Sequence, residues 1–310
     1  MLKKIAIPAV LAVSAVAFVG CSSSDDAATD SSSDEKLQIV ASTSVYADLA
    51  SSLVGDAADV TAIVDSASAD PHEYEATAQD QLAVKNADIV IDNGGGYDHY
   101  IDDMLENTDV TDVYTAVEYS DDWPGDDQAD ADGEVEGFNE HMWYSQATMV
   151  KLIDALATDL EKQLPDSADD ITANATTLTD SLKDLEDQLG DIAAAHTGDT
   201  VFMTEPVGGY LTEAAGLTNA TVDGFAEAVE EEQDVPPATL LAATDAIKNG
   251  EIDVLIANTQ TGGSETTAVV DAANDAGVPV IQYSETLPDG DTYVSWMQSN
   301  IDALADALGS

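Results

Sequence analysis

The sequence predicts an α/β protein of two lobes with mainly parallel sheets, joined by one long backbone helix. Three observations predict it. Short apolar runs alternate with helix-length segments from Leu37 to Val117, and the same rhythm resumes after Thr200. Between the two stretches lies a helical apolar stripe. Strands alternating with helices at this spacing are the pattern of βαβ units and parallel sheets.

In the first stretch, Leu37–Ala41 reads as a buried strand and Val45–Val54 as a helix. Val60–Val64 is a second strand, Gln79–Lys85 a helix, and Ala87–Asp92 a third strand that runs into Asn93-Gly94-Gly95-Gly96. A helix starts near Tyr97, and Val110–Val117 holds another strand. Ser120–Gly137 breaks the pattern with eight acids, one Pro and three Gly, the signature of an acidic surface loop.

Two helices follow. Met149, Leu152, Ile153, Leu156, Leu160 and Leu164 recur at helical spacing before Pro165. Ile171, Ala175, Leu178, Leu182, Leu185, Leu189 and Ile192 then step by fours and threes. That stripe spans roughly 25 residues, about 40 Å at 1.5 Å per residue. A coiled-coil segment and a spine between two lobes both fit it. Thr200–Met203, Val254–Asn258 and Val278–Tyr283 are the clearest strands of the second stretch, with helices between them and a last helix over Tyr293–Ala307. The predicted organisation is an N-lobe over 36–167, a linking helix over 168–196 and a C-lobe over 197–310.

The N-terminus predicts the compartment. Lys3 and Lys4 precede an uncharged apolar run, Ile5–Val19, and Gly20-Cys21 follow at once. A basic start, a short apolar core and a small residue before the cut describe a secretory signal over 1–20. The run is too short for an ordinary spanning helix. Cys21 looks like a lipobox cysteine, the residue that carries the lipid of bacterial lipoproteins, although Phe18 departs from the usual Leu. The segment 21–35 is Ser, Asp, Ala and Thr with almost no apolar bulk, which predicts a disordered tether. The protein is therefore expected at the cell membrane, lipid-anchored on its extracytoplasmic face.

Cys21 is the only cysteine, so no thiolate is available inside the body and a metal site there has nitrogen and oxygen donors. The chain holds 62 Asp plus Glu against 8 Lys, and no Arg. Removing Lys3 and Lys4 takes the formal charge from −54 to −56. Nucleic acid is excluded as a partner, and so is direct attraction to anionic headgroups, since both need basic patches.

Four histidines stand in the chain. His72 sits in Asp70-Pro71-His72-Glu73-Tyr74-Glu75 and His141 in Asn139-Glu140-His141-Met142-Trp143-Tyr144, both in loops beyond strand ends. His99, in a helix beside Asp98, and His196, after the linking helix, read as ordinary structural residues. Glu205 and Glu285 each follow a C-lobe strand.

Together these features resemble the cluster A-I solute-binding proteins of zinc and manganese ABC importers, from about Leu37 to Ala307. The resemblance implies a metal held between two lobes. His72 and His141 fall on the two N-lobe histidines. Glu205, in Thr204-Glu205-Pro206, falls on a position held by His or Glu. Glu285 falls on a fourth position that is usually Asp. The acidic loop stands where many zinc members carry a His-rich one. Zinc is the expected cargo and manganese the next, with an ABC permease as partner, the membrane reached through the lipid anchor, and a monomeric state.

Two neutral imidazoles and two carboxylates neutralise a dication in a closed four-coordinate shell, which suits capture rather than hydrolysis. Both donor types also bind protons, so affinity is expected to fall below about pH 6. The chain is therefore not expected to be an enzyme: His-Glu-x-x-His, Gly-x-Ser-x-Gly and a phosphate loop are all missing from the sequence. The competing readings are an adhesin or structural lipoprotein and an exported metallohydrolase. One stiff linking helix predicts little lobe closure.

Overall fold

The computed structural model describes residues 36–130 and 133–309. The expected signal, Cys21 and the tether lie outside the described residues. The first apolar run extends to Thr43 as β1 (Leu37–Thr43) and passes directly into α1 (Ser44–Val54). There follow β2 (Ala58–Val64), α2 (Ala78–Lys85), β3 (Ile89–Asp92), α3 (His99–Leu105) and β4 (Val113–Thr115). These strands form a parallel sheet in the order β2-β1-β3-β4. The predicted strand over Val110–Val117 is thus trimmed to three residues. Its partner β3 offers only Val90, Ile91 and Asp92 for pairing, and the chain turns at Ala116.

The pair α4 (Gln146–Gln163) and α5 (Ala168–His196) comes next. His196 is the last residue of α5 rather than a residue beyond it. The second half holds β5 (Thr200–Met203), α6 (Gly209–Ala214), β6 (Thr218–Asn219), α7 (Phe225–Glu230), α8 (Pro237–Lys248), β7 (Val254–Asn258), α9 (Ser264–Ala276), β8 (Val280–Tyr283) and α10 (Tyr293–Leu308). Its parallel sheet has the order β6-β5-β7-β8.

Alternation along each strand explains the layering. Ile39 and Ala41 of β1 and Ile89 and Ile91 of β3 face one cluster, while Val40 and Val90 face a separate one under α2 and α3. In the second sheet Val201, Met203, Val254 and Ile256 join that same first cluster, and Phe202, Leu255 and Ala257 face a third under α8 and α9. Burial on both faces is what makes parallel strands read as continuous apolar runs. The first cluster is common to both sheets. It runs through Leu182, Leu185 and Leu189 of α5 and reaches Trp296, Met297 and Ile301 of α10. The apolar stripe of α5 is therefore buried in that shared core, against α4 as well as α1 and α10. Each such Leu contributes about 1.5–3 kcal/mol through burial.

Candidate metal centre

The C-terminal ends of both sets of strands open on one cleft, the usual ligand position of α/β sheets. His72 reaches it from the loop after β2. The Asp70 carboxylate accepts the His72 backbone N–H at 2.9 Å, and the Tyr74 hydroxyl donates to Asp80 at 2.9 Å, which ties the loop to the first turn of α2. The Thr77 hydroxyl and the Asp80 carboxylate cap that turn reciprocally. Below His72 the chain after β3 turns through Gly94, Gly95 and Gly96, all at positive φ. A Cβ on Gly94 would lie 2.4 Å from Thr115 Cγ2, so a larger residue cannot make the turn. The turn displaces the start of α3 from Tyr97 to His99 and leaves Tyr97 buried, its ring edge-on to His72 with centroids 4.7 Å apart.

His141 is buried, and its ring geometry is fixed by Asn139. Asn139 Oδ1 accepts from the His141 backbone N–H at 3.1 Å and from Nδ1 at 2.8 Å. The same amide's Nδ2 donates to the carbonyl of Pro206 in the second lobe at 3.0 Å. That orientation assigns the proton of His141 to Nδ1 and leaves the Nε2 lone pair facing the cleft. The two histidine rings lie 5.9 Å apart. Burial holds both imidazoles below their ordinary pKa, and each ring is therefore a neutral donor.

Glu205 follows β5 and Glu285 follows β8, and both are buried. One amide links them. Asn258 Nδ2, at the end of β7, donates to Glu205 Oε2 at 2.7 Å and to Glu285 Oε1 at 2.6 Å. Glu205 Oε1 also accepts from the Thr261 hydroxyl, so both its oxygens are already engaged. Glu285 keeps Oε2 free, 3.6 Å from His72 Nε2. Burial first, then the nearby Asp70, pushes the Glu285 carboxyl up to about 8, and burial raises Glu205 as well.

The fold also brings in two acids that sequence reasoning passed over. Glu140 Oε1 lies 4.0 Å from His141 Nδ1, and Glu230 Oε1, at the end of α7, lies 4.0 Å from His141 Nε2. Donor atoms of His72, Glu140, His141 and Glu230 all fall within 4.8 Å of one another. Burial pushes Glu140 up to about 7, and burial together with the Glu140 charge pushes Glu230 up to about 10. Tyr97, Asn139 and Asn258 were likewise unmarked as site residues, because their roles lie in tertiary contacts with no local sequence signal. His99 is exposed and near enough to His72 to lower its pKa further, and His196 Nδ1 pairs with Asp199 at 2.8 Å; neither belongs to the donor group around the cleft histidines.

The donor set suits a divalent transition metal. His72 Nε2, His141 Nε2, Glu285 Oε2 and Glu230 Oε1 are buried without a hydrogen-bond partner. Unpaired buried polar atoms are costly, and converging lone pairs of nitrogen and carboxylate oxygen are what a dication satisfies.

Two α/β lobes around a donor-lined cleft define a solute-binding protein of the metal-carrying kind. Residues 39–307 match the family of the periplasmic zinc-uptake complex component A, ZnuA, and the chain belongs to that family. The family is one of transport components rather than enzymes. The manganese-binding lipoprotein MntA of Halalkalibacterium halodurans is 27% identical over 315 residues, spanning 99% of each chain. The zinc-binding lipoprotein AdcA of Streptococcus pneumoniae is 24% identical, with 94% of this chain matching 58% of the relative. The Pseudomonas aeruginosa solute-binding protein FpvC, solved with Mn2+, superposes with a TM-score of 0.69 at 21% identity, covering 88% of this chain and 99% of its own.

Proposed function

We propose that the chain captures zinc or manganese outside the cell and delivers it to the permease of an ABC importer. In this reading His72, His141, Glu205 and Glu285 hold the cargo. The observation that carries it is the approach of His72 Nε2 and Glu285 Oε2, from the two lobes, to 3.6 Å, with His141 Nε2 likewise buried and without a partner. The relatives support the cargo class, since MntA is described as manganese-binding and AdcA as zinc-binding. Zinc is the tighter ligand for such a set wherever it is present, by the order of intrinsic affinities. Cys21 carries the lipid that holds a monomeric protein on the extracytoplasmic face, in keeping with the relatives being lipoproteins. Lobes over 36–167 and 197–310, with 168–196 as the link, present the cargo.

The test is a titration of the metal-free chain with zinc and manganese separately, repeated on His72→Ala and Glu205→Ala. One tightly bound equivalent, lost in the first variant and weakened in the second, is expected. Substoichiometric binding, or binding untouched by both changes, overturns the assignment.

A further inference from the structure

The C-lobe segment from Gly224 to Val235 is built as an anchored strap. Gly224 adopts a left-handed conformation, Phe225 is buried edge-on against Phe202 with ring centroids 5.1 Å apart, and Val235 is buried at the other end. Between the anchors the strap carries Glu230, Glu231 and Glu232. Glu230 Oε1 lies 4.0 Å from His141 Nε2, and its carboxyl falls within 4.8 Å of donor atoms of His72 and Glu140 as well, while Glu232 stands beside Glu73, the neighbour of His72. One C-lobe element thus sets a carboxyl group within reach of both N-lobe histidines.

Carboxyl groups brought together across a cleft need a proton or a cation between them. The lysine ion pairs among the described residues lie elsewhere, joining Lys36, Lys151, Lys162 and Lys183 to Asp59, Asp121, Asp159 and Asp180. The independent sign of a ligand is His141. Its side chain is 0% exposed, its Nε2 has no partner, and that nitrogen faces Glu230 Oε1 at 4.0 Å. Glu230 Oε1 has no partner either.

We propose that Glu230 is itself a cargo ligand, brought to the metal by the strap, and that it tunes the site toward manganese. The inference rests on the capture function proposed above and extends its donor set. Two imidazoles and two carboxylates already complete the tetrahedral shell zinc prefers. A fifth, anionic oxygen donor is of greater use to manganese, which favours carboxylates and higher coordination. Glu140, paired with Glu230, holds that carboxyl in place against His141.

The experiment compares the metal-free full chain with Glu230→Gln and His141→Ala, each titrated with Mn2+ alone and with Zn2+ alone. In Glu230→Gln, manganese affinity is expected to fall by at least about tenfold more than zinc affinity. Equal losses for both metals, or no loss for either, overturn the proposal. Because the strap also packs the cleft, a structure of the Mn2+-loaded wild type supplies a second reading. A Glu230 oxygen at bonding distance, about 2.2 Å, supports the proposal, and one beyond about 4 Å sinks it. Wild type that takes up neither metal, or His141→Ala that binds as wild type does, brings down the capture function and this inference together. Binding lost in His141→Ala and unchanged in Glu230→Gln brings down this inference alone.

Discussion

His72 Nε2 of the first lobe lies 3.6 Å from Glu285 Oε2 of the second, and neither atom has a hydrogen-bond partner. A cation between them removes two penalties at once. Replacing Glu285 by Gln keeps the acceptor that Asn258 needs and removes the buried charge. Metal-free Glu285→Gln is therefore expected to melt above metal-free wild type at pH 8 and higher, where the carboxyl, raised to about 8, is losing its proton. It is also expected to gain little on addition of zinc or manganese. Thermal melts with and without each metal check both points; a variant stabilised by metal as strongly as wild type defeats the assignment of Glu285.

The Asn258 amide orients two carboxyl groups from different loops. Asn258→Ala leaves both without a shared donor while leaving every proposed ligand in the chain. A loss of about 10–100-fold in metal affinity is expected, the range for partners that orient ligands. Unchanged affinity would show that the two glutamates are held well enough by other contacts.

Asp98 gives the metal-free body a pH dependence away from the cleft donors. Its carboxyl accepts from the backbone N–H groups of Asn93 and Gly94 at 2.7 and 2.9 Å and so holds the glycine turn. Burial outweighs those bonds and raises it to about 6 from 3.8. The folded state therefore binds the extra proton. The stabilisation is complete below about pH 4 and is lost as pH rises through about 6, some 2–3 kcal/mol in all. Asp92, also raised by burial, acts in the same direction. Melting of metal-free wild type and Asp98→Asn from pH 4 to 7 checks this. The buried histidines pull the other way in both chains, so the readout is the wild type's advantage over the variant, expected to shrink as pH rises. An advantage that grows contradicts it.

Leu182 is fully buried in the cluster common to both sheets. Leu182→Ala is expected to cost about 2–5 kcal/mol and to destabilise the two lobes together. Denaturant melts followed by probes placed in each lobe report it. Two separated transitions in wild type would sink the idea of a shared core.

Several of these features were legible in the sequence and others were not, for physical reasons. Strands such as Ile89–Asp92 announce themselves because both faces are buried, and α5 because its stripe repeats over many turns. The two-residue strand β6 carries exposed Thr218 and Asn219 on a sheet edge and leaves no apolar trace. Four histidines in 310 residues single out His72 and His141 readily. Glu140 and Glu230 are two acids among 62, and only the folded chain sets them around His141. Asn258 reads as the polar end of a strand until the loops holding Glu205 and Glu285 are brought to it.

Small-angle scattering of the metal-free and metal-loaded protein is expected to show nearly the same radius of gyration. A lobe rotation that opens the body by several ångströms contradicts a core packed through α5.

A carrier whose halves are keyed to one continuous keel is expected to have little fulcrum on which to swing. Loaded and empty forms sharing one silhouette would leave a receptor little to gain from gauging the angle between halves. We expect the two forms to differ chiefly at the lip of the cleft, where Glu73 and Glu232 meet. We therefore expect the permease to distinguish cargo-bearing from empty carriers by touch at that lip. The hypothesis fails if neutralising Glu73 and Glu232 together leaves the permease's preference for loaded over empty carrier unchanged.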